Sequence, residues 1–448
     1  MNKYFDSPKV ITVSIIIFTT YALLFPSISS ALTLKEGLEI VTSQSRDIMI
    51  SQIEENAALA QLSQTQSLYY PKLDIYGSYT VQAYQPKGKY NLALMGFGKG
   101  FMNLPMQNQD YYAYGVSLNQ IVYDFGHTTH SVNAARYNAN SNSLNIKVIK
   151  NTIALAYILG YYDLLYAERI IALTQMQVKN LEAHLKDTIE LNKEGMNTKN
   201  DVLKVEVVLS DTRQTLLNAE NNRSLTVSRL NKLLSKQLNN NLSIEDSTIE
   251  PEINFTLEKA WETAENERDE LKTMSEKIKA KQEELLASNS DYYPNIFVTA
   301  GYQRIQSDYV AREDNWTALI GIKMNLFSGG STKYQSQKIN EELRELKLKN
   351  ENTLQDIKLQ VQEAFLARKL AAQKLEVSNT TVDQAKENLR IQELRFKEGI
   401  GTSTDVLDAI TLLNKAETNY WNSVYEIKTS LTRFVYSIGM DIVSTYNK

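Results

Sequence analysis

The sequence predicts a mostly α-helical chain with a small β part, built as one unit used twice. Three observations carry that reading. The stretch Phe396–Ala409, Phe-Lys-Glu-Gly-Ile-Gly-Thr-Ser-Thr-Asp-Val-Leu-Asp-Ala, has a counterpart 204 positions earlier, where Lys193–Leu203 reads Lys-Glu-Gly-Met-Asn-Thr-Lys-Asn-Asp-Val-Leu. Two separate segments switch from helical spacing to strict apolar/polar alternation. Breakers are scarce, with 17 Gly and 7 Pro in 448 residues, so the elements between them must be long.

The front of the chain reads as a secretory leader over residues 1–31: Lys3 and Lys9, an apolar run from Val10 to Phe25, then Ser29-Ser30-Ala31 for cleavage. At 16 residues that run is short for a bilayer helix, and no later run matches it. Cysteine is absent, which rules out disulfides, thiolate metal sites and an N-terminal lipid-bearing Cys. A net charge of −4 gives no basic field, so nucleic acid is not an expected partner.

The first repeat is read over 32–238. A helical pattern runs from Leu34 to about Leu68. From Leu73 the chain alternates, with Leu73, Ile75, Gly77, Tyr79, Val81 and Ala83 on one side and Asp74, Tyr76, Ser78, Thr80, Gln82 and Tyr84 on the other. A return strand follows at about Asp110–Tyr123, placing a strand pair within about 69–124. Asp124-Phe-Gly126 then leads into a helix from His127 to about Asn192. Gly195 can end that helix in the left-handed conformation. Thr198 offers an N-cap, and Asp201 falls in the first turn of a helix returning to about Leu238.

Residues 239–254 are polar and rich in breakers, and read as a linker. The second repeat, 255–438, shows the same order, with a strand pair at about 292–328, a helix from Thr332 to Lys397, a tip at Gly399 to Asp405 and a return helix from Ser403 to Ile438. Residues 439–448 form a tail. Tyr69-Tyr-Pro71 matches Tyr292-Tyr-Pro294 at an offset of 223, so 19 extra residues lie between Tyr79 and Tyr123. A fixed long period marks an internal duplication. Lys87–Asn108 is then an outward loop, read either as a flap or partner-binding surface over a mouth or as a disordered segment.

Each strand is about 10 residues, the length a tilted strand needs to cross an outer membrane. Tyrosine concentrates here: 14 of the 26 fall in 69–123 and 292–327, as interfacial girdles would require. Four strands cannot close a membrane barrel, and open edges in lipid leave backbone groups unsatisfied, so several chains must combine. Three would supply twelve strands.

The leader, Leu32-Thr-Leu, Tyr-Pro before an alternating strand, the Tyr-Asp-Phe-Gly and Phe-Ser-Gly-Gly exits, and tips of the form Gly-x-x-x-x-x-Asp-Val-Leu together resemble the TolC family of outer-membrane exit ducts. The resemblance covers essentially the whole mature chain. It implies a homotrimer in the outer membrane of a Gram-negative bacterium, with a twelve-stranded β-barrel in its lipids and long helical hairpins forming a periplasmic α-barrel. It further implies a periplasmic adaptor protein and an inner-membrane pump, proton-driven or ABC type, docking at the hairpin tips (Gly195, Gly399, Thr198, Thr402), and hence a role in efflux or type I secretion.

By the same resemblance Asp405 and Asp408 match the acids that ring the periplasmic constriction, and Asp201 is the first-repeat partner of Asp405. Acids in a first helical turn also complement the helix dipole, so both roles stand for these positions. Where the family archetype ties the closed tip with a Tyr and an Arg, Phe396 and Gly401 stand here, leaving the latch of this gate open. His127 and His130 lack a third metal ligand. His184 stands isolated in a long helix. No catalytic constellation or phosphate loop is present, so neither enzyme activity, a cofactor nor a metal is expected. The rival reading is a periplasmic or surface coiled-coil adhesin without a pore, which would need no amphipathic strand pairs.

Overall fold

The computed structural model describes residues 31–246 and 253–446. Apart from Ala31, the expected leader lies outside the described residues, as do positions 247–252 of the linker. The fold is mostly helical, 68%, with a small strand portion.

Helix α1 (Leu34–Gln44) opens on a capping box in which Thr33 and Glu36 satisfy each other's backbone N–H groups. A single helix was expected to Leu68; instead Ser45 is extended (φ −63°, ψ 132°), and α2 (Arg46–Gln66) starts afresh. The Ser45 N–H closes α1 on the Val41 carbonyl while its own carbonyl accepts from Met49 N–H, so the break leaves neither backbone group unpaired. No Gly or Pro marks this break.

Strand β1 (Lys72–Val81) is followed by β2 (Lys87–Asn91), β3 (Phe101–Pro105) and β4 (Asp110–Tyr123). The insertion is therefore neither plain loop nor disorder. Its flanks pair antiparallel as a second, two-stranded sheet.

Helices α3 (His127–Lys193) and α4 (Lys199–Leu233) form the first hairpin. After α5 (Leu257–Glu267) and α6 (Asp269–Ser290) come β5 (Asn295–Ile305) and β6 (Asp314–Lys323), then α7 (Ser331–Lys397) and α8 (Ser403–Ser437). The long helices have 67 residues each and their returns 35 each, so each hairpin reaches on the order of 100 Å. The two return helices end before the expected Leu238 and Ile438. The expected tail contains a short helix, α9 (Ile442–Tyr446), whose Ile442 and Tyr446 are buried.

The four-stranded sheet runs β1-β4-β5-β6, antiparallel throughout, with β1 and β6 as open edges. Register lines up the two faces. Leu73, Leu118, Ala300 and Ala318 form one row and Ile75, Val116, Tyr302 and Trp316 the next. On the opposite face Asp74, Ser117, Gly301 and Thr317 stand in line, beside Tyr76, Gly115, Gln303 and Asn315. The apolar face is bare: Ile75 is 82% exposed and Ile320 75%. On the polar face aromatic rings lie over glycines. A Cβ at Gly321 would fall 2.5 Å from the Phe297 ring, so only Gly admits that ring.

The main core sits midway along the helices, where Leu34, Leu38, Tyr157, Tyr161, Leu230, Val361 and Phe434 meet. Arg268, between α5 and α6, is 5% exposed and donates to the carbonyls of Tyr436 and Ser437, closing the end of α8. A second cluster lies at the tips: Leu181, Val205, Leu209, Leu389, Phe396, Val406, Leu407 and Ile410.

The hairpin tips as a candidate gate

Each tip is built by local chain chemistry. Gly195 (φ 73°) and Gly399 (φ 70°) take the left-handed conformation that ends α3 and α7, and Met196 and Ile400 N–H groups close on Leu191 and Arg395. Thr198 and Thr402 then cap the returns. Asp405 Oδ2 accepts from the Thr402 N–H at 3.0 Å and from its hydroxyl at 2.8 Å, while Thr402 Oγ1 accepts from the Asp405 N–H at 3.2 Å. Asp201 and Thr198 repeat this box. These bonds to Thr402 and Thr198 hold both carboxyls below the usual range, so both are ionised at neutral pH.

Asp408 stands one turn beyond Asp405, and both are exposed while Val406, Leu407, Ala409 and Ile410 are buried. The spacing puts the two carboxylates on one outward face of α8. Asp405 thus carries a capping role and faces water at once.

Gly401 lies where the chain folds back over Arg395 and Phe396. Its N–H donates to the Arg395 carbonyl at 2.9 Å, and a Cβ there would meet Arg395 Cβ at 3.0 Å. Phe396 turns inward, 5% exposed, with its ring 5.0 Å from that of His184 in an edge-on arrangement. His184 is not isolated. It is 7% exposed, and its Nε2 lies 3.0 Å from the hydroxyl oxygen of Ser403. Burial lowers the imidazole pKa. Phe396, His184 and Ser403 therefore join α7, α3 and α8 at the tip, and Lys204 Nζ donates to Thr404 Oγ1 across α4 and α8. The signal for His184 was its place between Leu181 and Thr188, which share its buried seam.

His127 and His130 contact different acids, Asp291 at 2.9 Å and Glu283 at 2.7 Å. Among the described residues no cluster of three or more such side chains could hold a metal, and no helix is long and apolar enough to cross a membrane.

The sequence profile of the outer membrane efflux proteins matches residues 38–236 and 260–439. The chain belongs to the outer membrane efflux protein family. That family is one of channels, and its members sit in the outer membrane and extend into the periplasm. No curated protein matches by sequence. Among solved structures, the transmembrane channel CusC aligns with a TM-score of 0.77 at 14% identity, over 91% of this chain and 92% of its own. VceC of Vibrio cholerae, an outer membrane protein, gives 0.77 at 15% identity over 91% and 96%. The open state of the MtrE outer membrane channel of Neisseria gonorrhoeae gives 0.74 at 16% identity over 91% and 89%. At such identities the likeness is one of fold, and nearly the whole of each chain takes part. The efflux protein fold thus accounts for both the exposed apolar sheet and the long hairpins; nothing here supports the adhesin reading.

Proposed function

We propose that this outer membrane efflux protein works as a homotrimer, the exit duct of a tripartite efflux or type I secretion system. Residues 32–238 and 255–438 are the two copies of its repeat. The observation that carries the trimer is the four-stranded sheet, open at β1 and β6 and apolar on one exposed face. In lipid those edge groups need partners, each unpaired one costing several kcal/mol, and three chains pairing β6 to β1 give a closed twelve-stranded barrel. The hairpins then line a periplasmic tunnel.

At its far end the tips around Gly195, Thr198, Gly399 and Thr402 dock a periplasmic adaptor and an inner-membrane pump. Asp405, Asp408 and Asp201 ring the constriction, where like charges in a narrow mouth attract cations. Phe396 and Gly401 leave the tip without the hydroxyl and the charge of the family archetype, and the His184–Ser403 bond with the Phe396 ring takes over the latch within each chain.

Mass measurement in mild detergent, combined with single-channel recording, tests the assembly. The expected result is a trimer that conducts. A stable monomer that forms pores would overturn it.

A further inference from the structure

The paired flanks of the insertion extend the β1–β4 ladder. Gln82 N–H donates to Gln109 O and Met106 N–H to Pro86 O, both at 2.9 Å, before Lys87 pairs with Pro105. The base is fixed to the β5–β6 turn. Asn108 and Asp308 exchange two hydrogen bonds of 3.0 Å, and Gln85 Nε2 donates to Tyr309 Oη at 2.9 Å. All four helices attached to the sheet leave from its other end, so this hairpin stands on the side away from the periplasm.

Its faces differ in chemistry. Directly opposed residues share a face, so Tyr90, Met102 and Leu104 form one side. Met106 and Tyr90 close over Gly88, where a Cβ would lie 2.7 Å from Met106 Sδ. Lys87 and Lys89 are on the other side, with Lys89 Nζ 4.6 Å from the Phe101 ring centre. The turn is apolar and bare, with Leu94 87% and Phe97 77% exposed. From 75 to 109 the chain carries Lys87, Lys89 and Lys99 and no acid.

We infer that this hairpin is a lipid-surface anchor: Leu94 and Phe97 enter the outer leaflet beside the barrel, and Lys87, Lys89 and Lys99 engage anionic headgroup phosphates. An apolar wedge with a cationic flank fits the boundary between acyl chains and charged headgroups. The hairpins of neighbouring copies are poor partners for one another, since each would set three lysines against three. The inference rests on the outer-membrane placement of the sheet.

The chain lacks cysteine, so Phe97→Cys creates a unique labelling site for a polarity-sensitive fluorophore. The labelled full-length protein is reconstituted in vesicles of phosphatidylcholine alone or mixed with phosphatidylglycerol. Insertion is read separately, by flotation and conductance. The expected result is blue-shifted emission, quenched by spin-labelled lipid, that strengthens with phosphatidylglycerol and falls by about fivefold per lysine in Lys87→Gln, Lys89→Gln and Lys99→Gln variants. A probe at Met196→Cys stays in water in both vesicles. Protein that floats and conducts while residue 97 reports water overturns the anchor and leaves the channel reading standing. A blue shift that persists in detergent and ignores the Lys variants also overturns it, placing the turn against another copy. Loss of flotation and conductance overturns the channel reading and the anchor with it.

Discussion

His184 on α3 and Ser403 on α8 lie 219 positions apart and are joined by a 3.0 Å contact between Nε2 and Oγ. This buried pair ties the two helical hairpins of one chain together at their tips. Ser403 follows the capping residue Thr402 directly, so the bond bears on the turn that sets Asp405 and Asp408. Phe396 covers the imidazole on the α7 side.

Removing this contact should loosen the tips without disturbing the rest. His184→Ala leaves a buried hydroxyl unpaired, a penalty of about 1–3 kcal/mol. Amide exchange in the last turns of α3 and the first turns of α8 should accelerate by one to two orders of magnitude, while the core around Tyr157 and Phe434 keeps its protection. Uniform acceleration along the chain would contradict a local latch.

The same pair should respond to acid. Burial lowers the His184 pKa below its ordinary 6.5, outweighing the hydrogen bond to Ser403 and the Asp187 charge that oppose it, and so the neutral ring is the form the folded tip prefers. A group with a depressed folded pKa lends its stability above the unfolded value and loses it as pH falls through the folded one. Tip protection should be constant above about pH 6.5 and decline below it. His184→Gln should flatten that profile; an unchanged slope would assign it to other groups.

Asp405→Asn and Asp408→Asn together should keep the fold, since Thr402 remains the N-cap and an amide oxygen at position 405 can still accept from the Thr402 N–H. Bilayer recordings should show most cation selectivity lost, with weaker block by multivalent cations from the periplasmic side. Asp74→Asn, on the polar face of the sheet, should change selectivity much less. Unchanged selectivity and block in the double variant would confine Asp405 to its bond with Thr402.

The sheet register separates an apolar face from a polar one, and in the proposed barrel substitution can tell which of them meets lipid. Ile320→Lys puts a charge on the apolar face and should destabilise insertion by about 2–4 kcal/mol near the bilayer centre. Thr317→Lys, on the row of Asp74 and Ser117, should insert normally. Equal effects on refolding into lipid would refute the face assignment.

Gly399→Ala should strain the second tip by about 1–2 kcal/mol, because φ of 70° crowds a Cβ against the following carbonyl. Local exchange at Ile400–Val406 measures it, with the exposed Lys397→Ala as the neutral comparison.

Much of this protein was legible in its sequence because its signals are local. Alternation marked β1, β4, β5 and β6, and β4 runs over the expected Asp110–Tyr123. The paired glycines and capping residues placed both tips, since a left-handed turn and an N-cap are properties of a few adjacent residues. Tertiary structure decided what depends on contacts between distant segments. The breaks at Ser45 and Arg268 carry no Gly or Pro, and Arg268 is held there by carbonyls of α8 far along the chain. The pairing of β2 with β3 was not legible because each strand has only five residues and neither carries an apolar/polar alternation. Likewise His184 reads from the sequence as an isolated histidine in a helix of 67 residues, and only the approach of α7 and α8 made it the centre of the tip.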